Sequence, residues 1–537
     1  MKATHFTLTA VSALLATVLA GCGGGGGGAG GVGTRSLSDA PGDLGASAQY
    51  ANQCAVDNTL AHSSSGDWLE GYRKGSRQTE QQFIRAYMQE SYLWYADMPQ
   101  VNGQLPEYLQ VGHEEGMQNY FRALLSPKLT VRGARKDRFS FAMPTAEWKA
   151  SSQAGTASGY GVDLGILKSE VPRDVRVLVV HEGTPAAQQG VSRGDMLVAV
   201  TTASGKRIDV VNTQDTAEVE ELNRVLFSAS EGEKTGFELK PVDAAQPNRQ
   251  TVLSAGEYQK PPVQTASVIT TDDGAKIGYL QFNGFALPVE SQLLKAVADM
   301  KQQQVQDVVV DLRYNGGGYL YQSAQLAYML SDTSLTQGKV FERLQYNDKR
   351  RRETEASQSQ MRFMSQTTGT EGTGTKAGQS LPNLGLKRVY VLTSASTCSA
   401  SESLINGLRG VDVEVVQIGN TTCGKPYGFT AKDNCGMSYF PIEFDGVNDK
   451  GVGGFDAGFT PNCMVADDVT HQLGDVKESL LAAALHYRQH GSCPASSTVQ
   501  GKQLDVTGAD GTARPAGRIH DPRMVRSPAL TNKFLLP

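Results

Sequence analysis

The stretch that most limits the fold is Val305 to Leu320, VQDVVVDLRYNGGGYL. Its apolar run lacks polar alternation, so it reads as a buried strand, the kind found where helices cover a sheet. It runs into a glycine loop, Gly316 to Gly318, and then into the helix SAQLAYML. Upstream, IGYLQFNGF reads as a strand and turn, and ESQLLKAVADMKQQ as a helix. Downstream, RVYVLTSAST, VEVVQIGN and SYFPIEF read as strands, with a helix opening after the first. Strands alternating with helices imply an α/β core, assigned to residues 265–495.

A chain of 537 residues is too long for one ordinary core, so a multidomain α/β protein is expected. Residues 51–148 read as a helical domain. There TEQQFIRAYMQESYLWYADMP sets Phe83, Ile84, Tyr87, Met88 and Tyr92 at helical spacing, with Pro99 beyond the end. Residues 150–260 read as short strands with one amphipathic helix, TAEVEELNRVLFSA. Between the SAQLAYML helix and the RVYVLTSAST strand lies a long polar stretch rich in Gly and Thr. A loop of that length is functional or disordered. Residues 496–537 read as a loose polar tail.

The opening residues, MKATHFTLTAVSALLATVLAGC, carry an apolar run too short for a membrane span, which needs about 20 residues. They read as a secretory signal. Leu19-Ala20-Gly21-Cys22 resembles the bacterial lipobox, which implies cleavage after residue 21 and lipidation of Cys22. Residues 23–50 then form a Gly-rich tether. Gly23 after the Cys resembles the outer-membrane destination, so the expected address is the cell envelope, anchored to the membrane by lipid and facing the periplasm. Six other cysteines remain, and an even number in an exported chain favours disulfides, with 15 pairings open. Cys423 with Cys435, and Cys463 with Cys493, are the expected pairs. No CxxC occurs, which argues against a zinc site, and no metal or cofactor is expected. Lys plus Arg total 50 against 55 Asp plus Glu, which argues against nucleic acid as a partner.

TSASTCSASESLINGLRG, from Thr393, takes a strand into a helix. A serine at that turn is well placed as a nucleophile, because helix N–H groups face any developing oxyanion. Ser399 lies there, with Glu402 at capping-box spacing. On local grounds alone Ser399 is a helix cap. A serine nucleophile also needs a base. None of the eight histidines lies in a small-residue loop of the core. Lys425, in GNTTCGKPYGF, sits in an apolar Gly-rich turn where desolvation can convert a lysine into a base.

Together STCSASE, GNTTCGK and VVVDLRYNGGG resemble the signatures of the carboxyl-terminal processing (tail-specific) serine proteases. The resemblance covers about residues 80 to 490. It implies a helical N-terminal region, a PDZ domain and an α/β protease core, in this order. It implies Ser399 as nucleophile, Lys425 as base, and Ala400 and Gly317 as oxyanion donors, with Glu402 and Asp412 as candidates for support. Thr184-Pro185-Ala186-Ala187, Gly190 and Arg193-Gly194-Asp195 resemble the PDZ type of bacterial proteases. Gly159, Tyr160, Gly161 and Val162 match its carboxylate-binding loop. The implied partners are proteins or peptides with free C-termini. The sequence sets no oligomeric state.

Departures from the pattern are Phe429 and Gly410, where many members have Gln and Asp, and a Ser-to-Lys separation of 26. They keep open a second reading, an inactive protease-like module that binds peptides or small apolar ligands. The envelope address is testable first: Cys22→Ser should abolish palmitate labelling and leave the precursor uncut, and absence of label on the wild type would overturn the lipobox assignment.

Overall fold

Ser76 and Thr79 cap each other's backbone N–H groups at 3.2 and 2.8 Å, and this reciprocal cap starts the first long helix, α1 (Arg77–Ser91). The computed structural model describes residues 46–130, 133–153, 156–370, 372–495 and 533–534. The buried face of α1 (Phe83, Ile84, Tyr87, Met88) meets Met117, Tyr120 and Phe121 of α2 (His113–Ala123). These side chains share their cluster with Phe429, Met437, Tyr439 and Phe440, which lie far along the chain. The strand Phe141–Pro144 likewise pairs with Met437–Phe440. The helical region therefore shares a core with the α/β region rather than enclosing one of its own.

The next region is a sheet in the order β5-β4-β3-β2-β1, built from β1 (Val162–Lys168), β2 (Asp174–Val180), β3 (Met196–Thr201), β4 (Lys234–Lys240) and β5 (Arg249–Ser254). Helix α3 (Thr216–Phe227) covers it, capped by Asp215 and burying Val219, Leu222 and Leu226. β1 lies at the edge, and the loop Gly159 to Val162 leads into it.

The central sheet has the order β6-β7-β8-β9-β10-β11, from β6 (Val263–Thr270), β7 (Lys276–Phe282), β8 (Asp307–Asp311), β9 (Arg388–Thr393), β10 (Glu414–Gly419) and β11 (Cys463–Met464). The β6–β7 pair is antiparallel and the others are parallel. Successive side chains of β8 point to opposite faces. Val308 and Val310 join one cluster with Leu293 and Val297 of α4 (Val289–Gln302), Ala324 of α5 (Leu320–Leu330) and Leu404 of α6 (Ala400–Gly410). Val309 joins the other, with Leu480 and Leu481 of α7 (Ser479–His490). Both faces are covered, which is why this strand shows no polar alternation. The long polar stretch is folded rather than disordered where it is described: the buried carboxylate of Glu290 accepts from Thr368 N at 2.8 Å and from Thr368 Oγ1 at 3.2 Å.

Several expectations change. The disulfides are Cys54–Cys435, Cys398–Cys423 and Cys463–Cys493. The expected Cys423–Cys435 pair does not form, because Cys423 faces the strand-to-helix turn while Cys435 lies under the N-terminal region. Ala46–Gln49, expected within the tether, form a turn in which Ser47 donates to Glu90, while residues 23–45 lie outside the described residues. In the tail, Lys533–Phe534 pair with Gly318–Tyr319 rather than hanging loose. The rest of that tail, the signal and Cys22 lie outside the described residues. Because Cys54–Cys435 spans a sequence separation of 381, Cys54→Ala/Cys435→Ala should lower unfolding stability by about 2–5 kcal/mol. An unchanged urea midpoint would show that the shared cluster alone holds the two regions together.

Candidate active site

Parallel strands release their loops at one edge of a sheet. The glycine loop follows β8, the Ser399 turn follows β9 and the Lys425 turn follows β10, and these three strands are neighbours. The loops are then tied to one another. Thr397 Oγ1 donates to Leu312 O at 2.8 Å, Cys398 N to Asn315 O at 3.1 Å, and Ser401 Oγ to the same carbonyl at 3.1 Å.

Ser399 is the N-cap residue of α6, with φ 60° and ψ −116°. A non-glycine residue in that region is strained and persists only where its surroundings impose it. Gly317 is part of that imposition. A Cβ there would lie 2.8 Å from Ser399 Cβ and 2.9 Å from Cys398 O, so only glycine fits. The Ser399 hydroxyl has no hydrogen-bond partner among the described residues, so it does not serve as the cap that the local sequence suggested.

The capping contact runs the other way, through Glu402. Its Oε2 accepts from Ser399 N at 2.9 Å and from Lys425 N at 2.8 Å. Its Oε1 accepts from Thr422 Oγ1 at 2.6 Å and from Gly424 N at 2.8 Å. One carboxylate thus fastens the Ser399 turn to the Lys425 turn. Burial pushes the Glu402 carboxyl above its usual range, and the hydrogen bonds from Thr422, Lys425, Ser399 and Gly424 offset only part of that.

Ser399, Glu402 and Lys425 are each 0% exposed, so the site excludes bulk water. The Lys425 ammonium position lies 5.2 Å from the Phe139 ring centroid and 4.8 Å from that of Phe429. Phe429 is therefore a wall of the Lys425 pocket. Arg138, from the N-terminal region, braces the same turn by donating to Cys423 O at 3.0 Å.

Two expected residues are placed differently. Asp412 lies past the C-terminus of α6, its side chain 77% exposed and paired with Lys450, so it takes no part in this site. Gly317 is at the Ser399 turn, but its N–H donates to Asn315 Oδ1 at 2.9 Å and is occupied in this arrangement. Ala400 stands at the first turn of α6, buried beside Ser399.

Behind the glycine loop is a buried charged cluster. Arg313 donates to Asp311, Asp467 and Glu478 at 2.7–2.9 Å. Arg193, of the β-rich region, donates to Tyr314 OH at 2.8 Å and to Asp467 at 3.0 Å. The Arg193-Gly194-Asp195 stretch thereby clamps that region onto the base of the glycine loop. The loop Gly159 to Val162 is outside this site, within the β-rich region. The carboxylate next to it, Asp163, is pushed up by burial, but Lys260 and His181 outweigh burial and hold it well below the usual range.

Known proteins resemble this chain over its helical N-terminal region and its α/β region. A model described as Peptidase family S41 matches residues 276–432, and one described as Peptidase S41 N-terminal domain matches residues 79–141. The chain is 27% identical over 177 residues to carboxyl-terminal-processing peptidase 3, chloroplastic, of Arabidopsis thaliana, covering 32% of each chain. It is 23% identical over 336 residues to carboxy-terminal processing protease CtpA of Bacillus subtilis, covering 60% of this chain and 61% of the relative. These matches thus span about a third to three-fifths of the relatives' length. Among solved structures, a Bacteroides fragilis protein assigned to the S41 proteases superposes with a TM-score of 0.56 at 23% identity, over 79% of this chain and 99% of that one. It shows the same fold.

Glu402→Gln keeps the shape but sets an NH₂ group against backbone donors, so it should cost about 1–3 kcal/mol. A carboxyl raised on folding binds its proton more tightly in the native state, so its contribution is lost as pH rises from the unfolded to the folded value. The stability advantage of wild type over Glu402→Gln should therefore shrink as pH rises through that window, as read by urea unfolding at several pH values. An advantage that grew with pH would mean the native carboxyl is not raised.

Proposed function

We propose that the chain, which matches the models described as Peptidase family S41 over residues 276–432 and Peptidase S41 N-terminal domain over residues 79–141, is a serine endopeptidase of the bacterial cell envelope, cutting exported proteins near their C-termini through a Ser399–Lys425 dyad. The observation that carries this is the Glu402 bridge, which holds the backbones of Ser399 and Lys425 on one carboxylate at 2.9 and 2.8 Å.

In this reading Ser399 Oγ attacks the scissile carbonyl, and the Lys425 amine takes its proton. Water exclusion favours the neutral amine that a base requires. The faces of Phe139 and Phe429 then stabilise the ammonium that proton transfer creates. That ammonium protonates the leaving amine, and the freed base activates water to release the acyl group. The Ala400 N–H, at the start of α6, faces the oxyanion. Gly317 can add a second donor once its N–H leaves Asn315 Oδ1.

The PDZ-like region suits presentation of chain ends. β1 is an edge strand, open to addition of an extended peptide. The Gly159 to Val162 loop before it includes Gly161 at φ +84°, which lets backbone N–H groups approach a carboxylate. Disulfides support an oxidising compartment, and lipidation of Cys22 would hold the protein at the envelope. The binding-only alternative draws on Phe429 and Gly410, and Asp412 cannot compensate from its surface position.

Peptide-library cleavage read by mass spectrometry separates the two readings. Wild type should cut, while Ser399→Ala, Lys425→Met and Lys425→Arg should fold and not cut, since guanidinium does not give up its proton. Activity should rise with pH along a limb that Lys425 sets. Cleavage by Lys425→Arg at the wild-type rate would end the dyad assignment. Amidating the C-terminus of a bound peptide should cost about tenfold or more in affinity, and equal binding by calorimetry would show that chain ends are not read.

A further inference from the structure

A covalent bond runs parallel to the Glu402 bridge. Cys398 directly precedes Ser399, Cys423 lies two residues before Lys425, and the two are joined. Cys423 N also donates to Thr397 O at 3.0 Å, and Cys398 N to Asn315 O at 3.1 Å. The disulfide therefore sits where all three loops meet. Cys423 Sγ lies 3.4 Å from Glu402 Oε2. As a disulfide sulfur it has no proton to donate, so this is a contact only.

We infer that Cys398–Cys423 is a positioning bond for the Ser399–Lys425 pair and that a dithiol reductant switches the peptidase off by opening it. The inference rests on the dyad reading above. Its physical basis is space and competition. Bonded sulfurs sit about 2.0 Å apart, whereas nonbonded heavy atoms need about 3.5 Å or more. Cys398 is only 3% exposed, so its thiol has little room to swing aside, and on this reading parting the two sulfurs shifts a turn that carries Ser399 or Lys425 by about 1 Å. A displacement of that size costs roughly a hundredfold in rate. Ser399, held at positive φ, is free to relax once the turn loosens. The new Cys423 thiol would also have a proton to offer Glu402 Oε2, in competition with Lys425 N.

The half-buried Cys423 is the point of attack. A reductant thiolate bonds to Cys423 Sγ, the Cys423–Cys398 bond breaks, and Cys398 leaves with the electron pair and takes a proton. The second reductant thiol then displaces Cys423, giving two protein thiols and a reductant disulfide, a two-electron transfer. Cys54 and Cys435 are both 0% exposed and shielded from this step. Cys493 is exposed, so the Cys463–Cys493 bond supplies the control.

The test follows full-length protein cutting a library-derived peptide, with and without dithiothreitol, and traps free thiols by alkylation for mass spectrometry. Reduction at Cys398 and Cys423 should lower kcat about a hundredfold with KM little changed. It should move the alkaline limb to higher pH, because water reaches Lys425, and oxidised glutathione should restore the rate. Cys463→Ala/Cys493→Ala should keep the response to reductant. Cys398→Ala/Cys423→Ala should be slow with or without reductant. Wild type alkylated at Cys398 and Cys423 that keeps its full rate overturns the inference even if the double variant does not fold. So does a folded Cys398→Ala/Cys423→Ala protein with wild-type kcat. Cleavage that survives Ser399→Ala would remove the dyad and the inference together, whereas dyad-dependent cleavage that survives reduction removes the inference alone.

Discussion

The Glu402 carboxylate is the contact on which the site depends. Two loops that leave different strands have no reason to keep a fixed separation, since each could move with its own turn. A buried carboxylate accepting from Ser399 N, Thr422 Oγ1, Gly424 N and Lys425 N removes that freedom. Burying the charge is costly, and the raised Glu402 carboxyl is a sign that hydrogen bonding does not fully repair it. The strained backbone at Ser399 is a second cost at the same place. Both costs fall at the turn that carries Ser399, where geometry is fixed at the expense of local stability.

The sheet makes that contact reachable. With β8, β9 and β10 adjacent and parallel, the glycine loop and the turns of Ser399 and Lys425 leave the same edge, so a single side chain at the start of α6 spans the gap. The next layer is ionic. Arg313 is surrounded by Asp311, Asp467 and Glu478, and Arg193 reaches the same cluster from the β-rich region. Buried ion pairs add little net stability, but they oppose rearrangement, because losing one partner strands a buried charge. The N-terminal region supports the Lys425 side, with Arg138 on the Cys423 carbonyl and Phe139 beside the lysine amine.

The α/β architecture was legible because its evidence is local. Val308, Val309 and Val310 leave no polar face, and the strand–helix alternation follows from periodicity. Ser399 and Lys425 were legible as residue types in small-residue turns. Glu402 was legible as a cap three residues on and as a candidate for support, but nothing in its neighbourhood shows that donors from Thr422 to Lys425 will come to it. Gly317 shows the same limit: the glycine is readable, while the capture of its N–H by Asn315 is not. Asp412 was misplaced because proximity in sequence is no guide across a helix. It follows α6, and Ser399 opens it.

By itself, then, the sequence determined which segments are strands and helices, their order, and which side chains could do chemistry, because these depend on neighbours a few residues apart. The cysteine pairing, the partner of each turn, the sharing of one core between the N-terminal helices and Met437–Phe440, and the seating of Arg193 against Tyr314 were decided only by the tertiary structure. Each joins residues far apart in the chain, and a linear pattern carries no distance between them. That distance is set when the strands take their places in the sheet and the layers close over it.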